Sequence, residues 1–211
     1  MGGAFRLKSA TGVIALVTAA ITLLVFAVVD ADTAALSGGF IPARFSGLLH
    51  LTPAVPALLT PFSAALLHGS FVHLALNMLM LVFVGSQVER ILGAAPTMAL
   101  YVFGALVAAL AQWAVDPTSG TPMVGASGAI SALFGTYAML TARPKPVFKS
   151  AHANRALHAA WLLTAWIVIQ WMTAALAGGE GMMLATPAHI GGFVAGLVMQ
   201  RPLLLWRYRG A

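Results

Sequence analysis

The sequence predicts an all-α integral membrane protein, a bundle of six transmembrane helices with both termini on the cytoplasmic side. Three observations predict it. Of the 211 residues, 60% are hydrophobic and only 8% charged, with a mean hydropathy of +0.93, whereas a soluble domain carries about 25% charged residues. Apolar runs of roughly the twenty residues that a bilayer core requires recur along the whole chain. Arginine and lysine collect beside alternate ends of those runs.

The first run, Thr11 to about Val29, follows Arg6 and Lys8. Its apolar length exceeds that of a signal-peptide core, which makes it an uncleaved first helix. The next stretch, residues 31–70, carries Pro42, Pro53, Pro56 and Pro61 among Phe40, Leu48, Leu49, Leu58 and Leu59. It is too broken for a span and too apolar for a solvated loop, so a partly membrane-embedded first loop is expected. Further spans read as 71–88, 95–115, 123–142, 156–177 and 187–206. Arg201 interrupts the last, but an arginine near a helix end snorkels to the headgroups. Arg143 to Arg155 reads as a basic, solvated connector. Gly178-Gly179-Glu180-Gly181, with three glycines, reads as a permissive connector leading into the last helix. Spans and short connections use up the chain, leaving a single domain over residues 1–211.

Charge gives the orientation. With the N-terminus inside, cytoplasmic segments hold Arg6, Lys8, Arg90, Arg143, Lys145, Lys149, Arg155, Arg201, Arg207 and Arg209, and only Arg44 falls outside. Asp30, Asp32, Asp116 and Glu180 lie in outer segments, with Glu89 alone inside. The positive-inside rule counts Lys and Arg, and it selects this orientation. The net charge of +6 is therefore topology, and no nucleic-acid partner is expected. The chain has no cysteine, which excludes disulfides, thiolate metal sites and a cysteine nucleophile.

A polar side chain inside a span is a functional candidate, because it costs stability unless paired. Single Ser, Thr and Gln residues are cheap exceptions. The informative ones are His73 and Asn77 in the second span, Ser127 in the fourth and His189 in the sixth, each close to the outer start of an even-numbered helix. All four thus lie at similar depth in the outer half of the membrane. His73 and Asn77 share a helix face at spacing i, i+4, whereas His68 is off that face, near the loop. Ser127 sits in Gly125-Ala126-Ser127-Gly128, with Ser131 and Gly135 continuing its face. His189 is followed by Gly192 and Gly196, a small-xxx-small pattern that lets helix backbones approach closely. Alone, such glycines are packing devices, and a lone serine bonds its own helix backbone. The constellation carries the weight. His50, His152 and His158 read as interfacial or solvated.

The inventory then selects a chemistry. An aspartyl mechanism needs two intramembrane carboxylates, and the aspartates all lie at span ends or in loops. A zinc site of the HExxH kind is missing, and His68, His73 and His189 without a nearby Asp, Glu or Cys make a poor ligand set, so no metal or other cofactor is expected. Serine with histidine remains. The soluble-type elbow G-x-S-x-G is not matched, since Ala129 stands at its second glycine. With no carboxylate to orient His189, a dyad is expected, in which His189 takes the Ser127 proton. His73 and the Asn77 amide are donors of the right kind, at the right depth, for a developing oxyanion, with the Ser127 backbone N–H as a further one.

These residues resemble the rhomboid family of intramembrane serine proteases. The second-helix signature His-x4-His-x3-Asn appears as His68, His73 and Asn77, followed by Gly85, Glu89-Arg90 and Gly93; the GxSG serine motif as Gly125-Ala126-Ser127-Gly128; and the sixth-helix motif as Ala188-His189 with Gly192 and Gly196. The match runs from about Leu58 to Gly196. The resemblance implies that Ser127 and His189 are the catalytic dyad, that His73 and Asn77 stabilise the oxyanion, and that transmembrane protein substrates are cut near the outer face without ATP or metal. The compact core suits a bacterial plasma membrane. Two departures stand out. The Trp-Arg pair common in the family's first loop is replaced by Ala57-Leu58-Leu59-Thr60, and Ser131 stands where many bacterial members carry a tyrosine stacked on the catalytic histidine. Two other classes compete: a non-proteolytic rhomboid-like binder of transmembrane helices, which usually lacks the serine or histidine, and a transporter, for which no intramembrane carboxylate or paired half-helices are present.

Overall fold

The computed structural model describes residues 9–140, 146–176 and 185–209, and its regular elements there are helices, with one isolated β-bridge between Phe40 and Met123. Helix α1 (Ala10–Val28) starts where the Ser9 hydroxyl accepts the Gly12 N–H at 3.0 Å. Its next donors, the N–H groups of Ala10 and Thr11, reach the Glu89 carboxylate at 2.8 Å each. No residue of a helix's own first turn can satisfy those groups, and a carboxylate there also complements the helix dipole. This is why the one acid expected on the inner side is tolerated there.

The first loop folds into short helical pieces: α2 (Ala31–Gly38), α3 (Pro42–Phe45), and a run of turns over Ala57–Leu66 that contains α4 (Thr60–Ser63). Asp30 caps α2, and the Thr33 backbone N–H holds its carboxyl below the ordinary carboxylate range. α5 (Phe71–Met80) passes through one π-helical stretch, Leu81–Gly85, into α6 (Ser86–Leu92), forming a continuous rod. Gly93, at φ +82°, turns the chain into α7 (Ala94–Val115), a conformation that a residue with a Cβ adopts only under strain. α8 (Ser127–Leu140), α9 (Ala151–Leu176) and α10 (Thr186–Arg207) complete the bundle.

Packing is centred on α8, which is flanked by α7, α9 and α10. Eleven of its 14 residues are buried. The rim is apolar instead: Leu16, Leu24, Phe71, Leu79 and Val198 are 59–66% exposed. Polar side chains such as Asn77, Ser131 and Thr136 lie inside, and large apolar ones also cover the outside, the arrangement expected when lipid is the solvent. By length and composition α1, the 71–92 rod, α7 and α10 can each cross a membrane.

Three expected boundaries move. The second span runs on to Leu92 rather than ending at Val88. The fifth begins at Ala151, five residues before its expected start, because Asn154 draws the chain into the helix: its Oδ1 accepts the Val147 and Phe148 N–H groups and its Nδ2 donates to the Phe148 carbonyl. The fourth begins at Ser127, not Met123. Gly125 at φ +121° breaks any helix there, and the N–H groups of Met123, Gly125 and Ala126 are drawn to Phe40, Ala64 and His68. Arg6, Lys8, Arg143, Lys145, residues 141–142 at the end of the fourth expected span, Ala177, and the 178–181 connector lie outside the described residues.

Candidate active site

Non-helical backbone inside an apolar bundle survives only if its polar groups find partners. The segment leading to Ser127 finds them in the first loop. Phe40 and Met123 exchange both N–H···O bonds, at 2.9 and 2.8 Å, and the Gly125 N–H donates to the Ala64 carbonyl at 2.9 Å. The Ala126 N–H reaches His68 Nε2 at 3.5 Å. His68 is itself fixed from α1. The Thr22 hydroxyl donates to the Leu66 carbonyl at 2.8 Å and lies 3.1 Å from His68 Nδ1. With its proton so engaged, Thr22 accepts from Nδ1–H, which leaves Nε2 as the acceptor for Ala126. His68 thus lies beside the serine turn.

Ser127 opens α8 and His189 lies in the first turn of α10, and they meet with Oγ 2.8 Å from Nε2. Both are buried, at 7% and 4% exposure. That separation requires the two helix backbones to touch. A Cβ on Gly192 would sit 2.1 Å from the Gly128 carbonyl oxygen, one on Gly196 2.0 Å from that of Ala132, and one on Gly135 2.0 Å from that of Phe193. The Thr136 hydroxyl adds a 2.9 Å bond to the Gly196 carbonyl. Gly128 is also needed on its far side, where a Cβ would meet that of Ala108 at 2.6 Å.

His73 comes to the same place from α5. A Cβ on Gly125 would fall 2.8 Å from His73 Cε1, so the glycine admits the imidazole beside the nucleophile turn. Asn77, 2% exposed, donates from Nδ2 to the His73 carbonyl at 2.9 Å. Its Nδ2 carries a second hydrogen. The structure therefore gathers His68, His73, Gly125, Ser127, Gly128 and His189 into one cluster, with Asn77 one turn along α5 from His73.

Four participants lie outside the residues singled out from sequence or given no partner there. Thr22 is one. Ser131, standing in the tyrosine position, donates to the Ser127 carbonyl at 2.7 Å and accepts from Trp166 Nε1–H at 2.7 Å. Trp166 stacks on Phe134, with centroids 4.5 Å apart, and sets its ring 6.4 Å from that of His189 in edge-to-face orientation. An aromatic from α9 thus packs near His189 and is held there by its bond to Ser131. Gln170, one turn along the same face of α9, places Nε2 3.3 Å from His189 Nε2. A lone glutamine in an apolar helix is a visible signal, but its partner is not.

A cavity of about 20 Å³ borders Ser127 and His189, walled by Pro61, Ala64, Ala108, Met123 and Ala185. A single water needs roughly 10–15 Å³. The ensemble has the parts for acyl transfer: a hydroxyl within proton-transfer reach of an imidazole, first-turn N–H groups at the start of α8, and space for one water.

Fold and site together define an all-helical membrane bundle in which a serine and a histidine from two touching helices are joined below the surface. The Rhomboid domain model matches residues 56–206, and the chain belongs to the rhomboid family. It is 33% identical over 138 residues to the rhomboid protease GlpG of Pectobacterium atrosepticum, covering 65% of this chain and 46% of that protein. It is 32% identical over 137 residues to GlpG of Serratia proteamaculans and 30% over 137 to that of Yersinia pestis, each covering 65% of this chain and 45% of the relative. The chain spans just under half the length of these curated relatives.

Proposed function

We propose that this protein is an intramembrane serine endopeptidase that cleaves transmembrane substrates near the outer face of a bacterial plasma membrane, with six spans and both termini cytoplasmic. The observation that carries the reading is the 2.8 Å contact between Ser127 Oγ and His189 Nε2, buried on both sides. His189 accepts the Ser127 proton as Oγ attacks the scissile carbonyl, giving a tetrahedral intermediate. It then donates that proton to the leaving amine, and the acyl-enzyme forms. A water taken up beside the pair repeats the sequence, with His189 as base and Ser127 as leaving group. His73, the second Nδ2 hydrogen of Asn77 and the Ser127 N–H serve as donors to the oxyanion. The family's protease members bear names that fit this chemistry, and retention of both serine and histidine in bonding contact favours it over a non-proteolytic binder.

A fluorophosphonate probe on detergent-solubilised protein tests the reading. Label is expected on Ser127 alone, absent from Ser127→Ala and strongly slowed in His189→Ala. Cleavage of a transmembrane substrate that persists in Ser127→Ala would refute the serine mechanism.

A further inference from the structure

We propose that Gln170 is a positioning residue that selects the tautomer of His189 able to take the Ser127 proton; the inference rests on the reading of Ser127 and His189 as nucleophile and base. A neutral imidazole carries its proton on one nitrogen only, and His189 can act on Ser127 only when that proton is on Nδ1 and Nε2 offers a lone pair. In a triad, a carboxylate at Nδ1 enforces this form. Here Nδ1 of His189 is buried and makes no hydrogen bond among the described residues. The serine cannot enforce it either, since a hydroxyl both donates and accepts and so satisfies either tautomer.

The donor sits on the other side. Gln170 projects from α9 into the bundle, 7% exposed, with its amide nitrogen 3.3 Å from His189 Nε2, the nitrogen that faces Ser127 Oγ. An amide N–H aimed at Nε2 is satisfied only when Nε2 is unprotonated, so it favours Nδ1–H. Burial raises the cost of the wrong form, because an N–H facing an N–H leaves both without acceptors. In the orientation seen here the amide offers Nε2 a donor, which leucine lacks and which glutamate replaces with an acceptor that favours Nε2–H.

The test reads the tautomer directly. In 15N-histidine-labelled Ser127→Ala protein in detergent, the ring nitrogen shifts of His189, assigned by their loss on adding His189→Gln, should report the Nδ1–H form. Adding Gln170→Leu, which is apolar and close in volume, should convert it to a mixture or to Nε2–H. Should that variant fail to fold, Gln170→Met serves in its place. In the active protein, Gln170→Leu should lower kcat roughly two- to tenfold with KM unchanged, because only a fraction of the molecules holds the competent tautomer. Gln170→Glu should lower it by about a hundredfold or more, since it holds the wrong form. An unchanged tautomer in Gln170→Leu, or a loss confined to KM, overturns the inference. Cleavage that survives Ser127→Ala sinks the proposed function instead, and the resting-state tautomer stays readable without turnover.

Discussion

His68 shows how much at this site depends on side chains that do no chemistry. Its ring relays a constraint from Thr22 on α1 to the Ala126 N–H, one residue before Ser127. Thr22→Val keeps the shape and removes the hydroxyl, leaving the Leu66 carbonyl and His68 Nδ1 short of a partner. The expected loss is about 1–3 kcal/mol of stability, seen as a lower unfolding temperature in detergent, while Thr22→Ser should retain the parent value. Equal stability of the valine variant would show that this chain of bonds is not holding the serine turn. His68 was legible as part of a motif. Thr22 was not, since a lone threonine in an apolar helix costs little and points to nothing in one dimension. Gln170 escaped for the same reason, although its burial against His189 gives it a definite partner.

At the scale of elements, the contact between α8 and α10 and the wall formed by α9 differ in how far sequence exposes them. The glycines at 135, 192 and 196 announce a close crossing by their spacing, and the structure places a carbonyl oxygen about 2 Å from the Cβ that each lacks. Gly135→Ala and Gly192→Ala should each force the helices apart, costing about 1–3 kcal/mol and lowering kcat through a longer Ser127–His189 separation. Gly120→Ala, with open space around its Cβ position, is the control expected to change neither. The inward face of α9 was hidden. Its tryptophans fall at five-residue intervals, yet Trp161 and Trp171 are 65% and 54% exposed while Trp166 is fully buried. Composition cannot tell a lipid-facing indole from a core one. Because Trp166 reaches the serine turn through Ser131, Ser131→Ala and Trp166→Phe should each reduce activity, and the double variant should be no worse than the poorer single. Additive losses would mean that the two residues act separately. Hydropathy does not distinguish an apolar extended segment from an apolar helix, so sequence alone starts the fourth span at Met123, whereas the positive φ of Gly125 and its bond to Ala64 move the helix start to Ser127.

At the scale of the whole molecule, the proposed orientation rests on where charge can stay hydrated. Arg44, the one basic residue that the proposed orientation would leave on the outer side, is 8% exposed and donates from Nη2 to the Val55 carbonyl at 2.7 Å. It is folded into the first loop rather than presented at the membrane surface, so it weighs little against the basic residues at the opposite ends of the spans. If six spans cross with the N-terminus inside, residue 120, between α7 and α8, faces outward and residue 150, before α9, faces the cytoplasm. The parent chain has no cysteine, so single substitutions report without background. Both positions are exposed in the fold, and Gly120 has room for a side chain. In sealed cells an impermeant maleimide should label Gly120→Cys and spare Ser150→Cys until the membrane is permeabilised. An outer position for residue 120 would also place the site in the outer half of the membrane, because the chain reaches Ser127 only seven residues later, bonding to the first loop at Met123 and Gly125 on the way. Labelling of Ser150→Cys in sealed cells would invert the bundle and move the serine to the cytoplasmic half; protection of both positions would break the span count between α7 and α9.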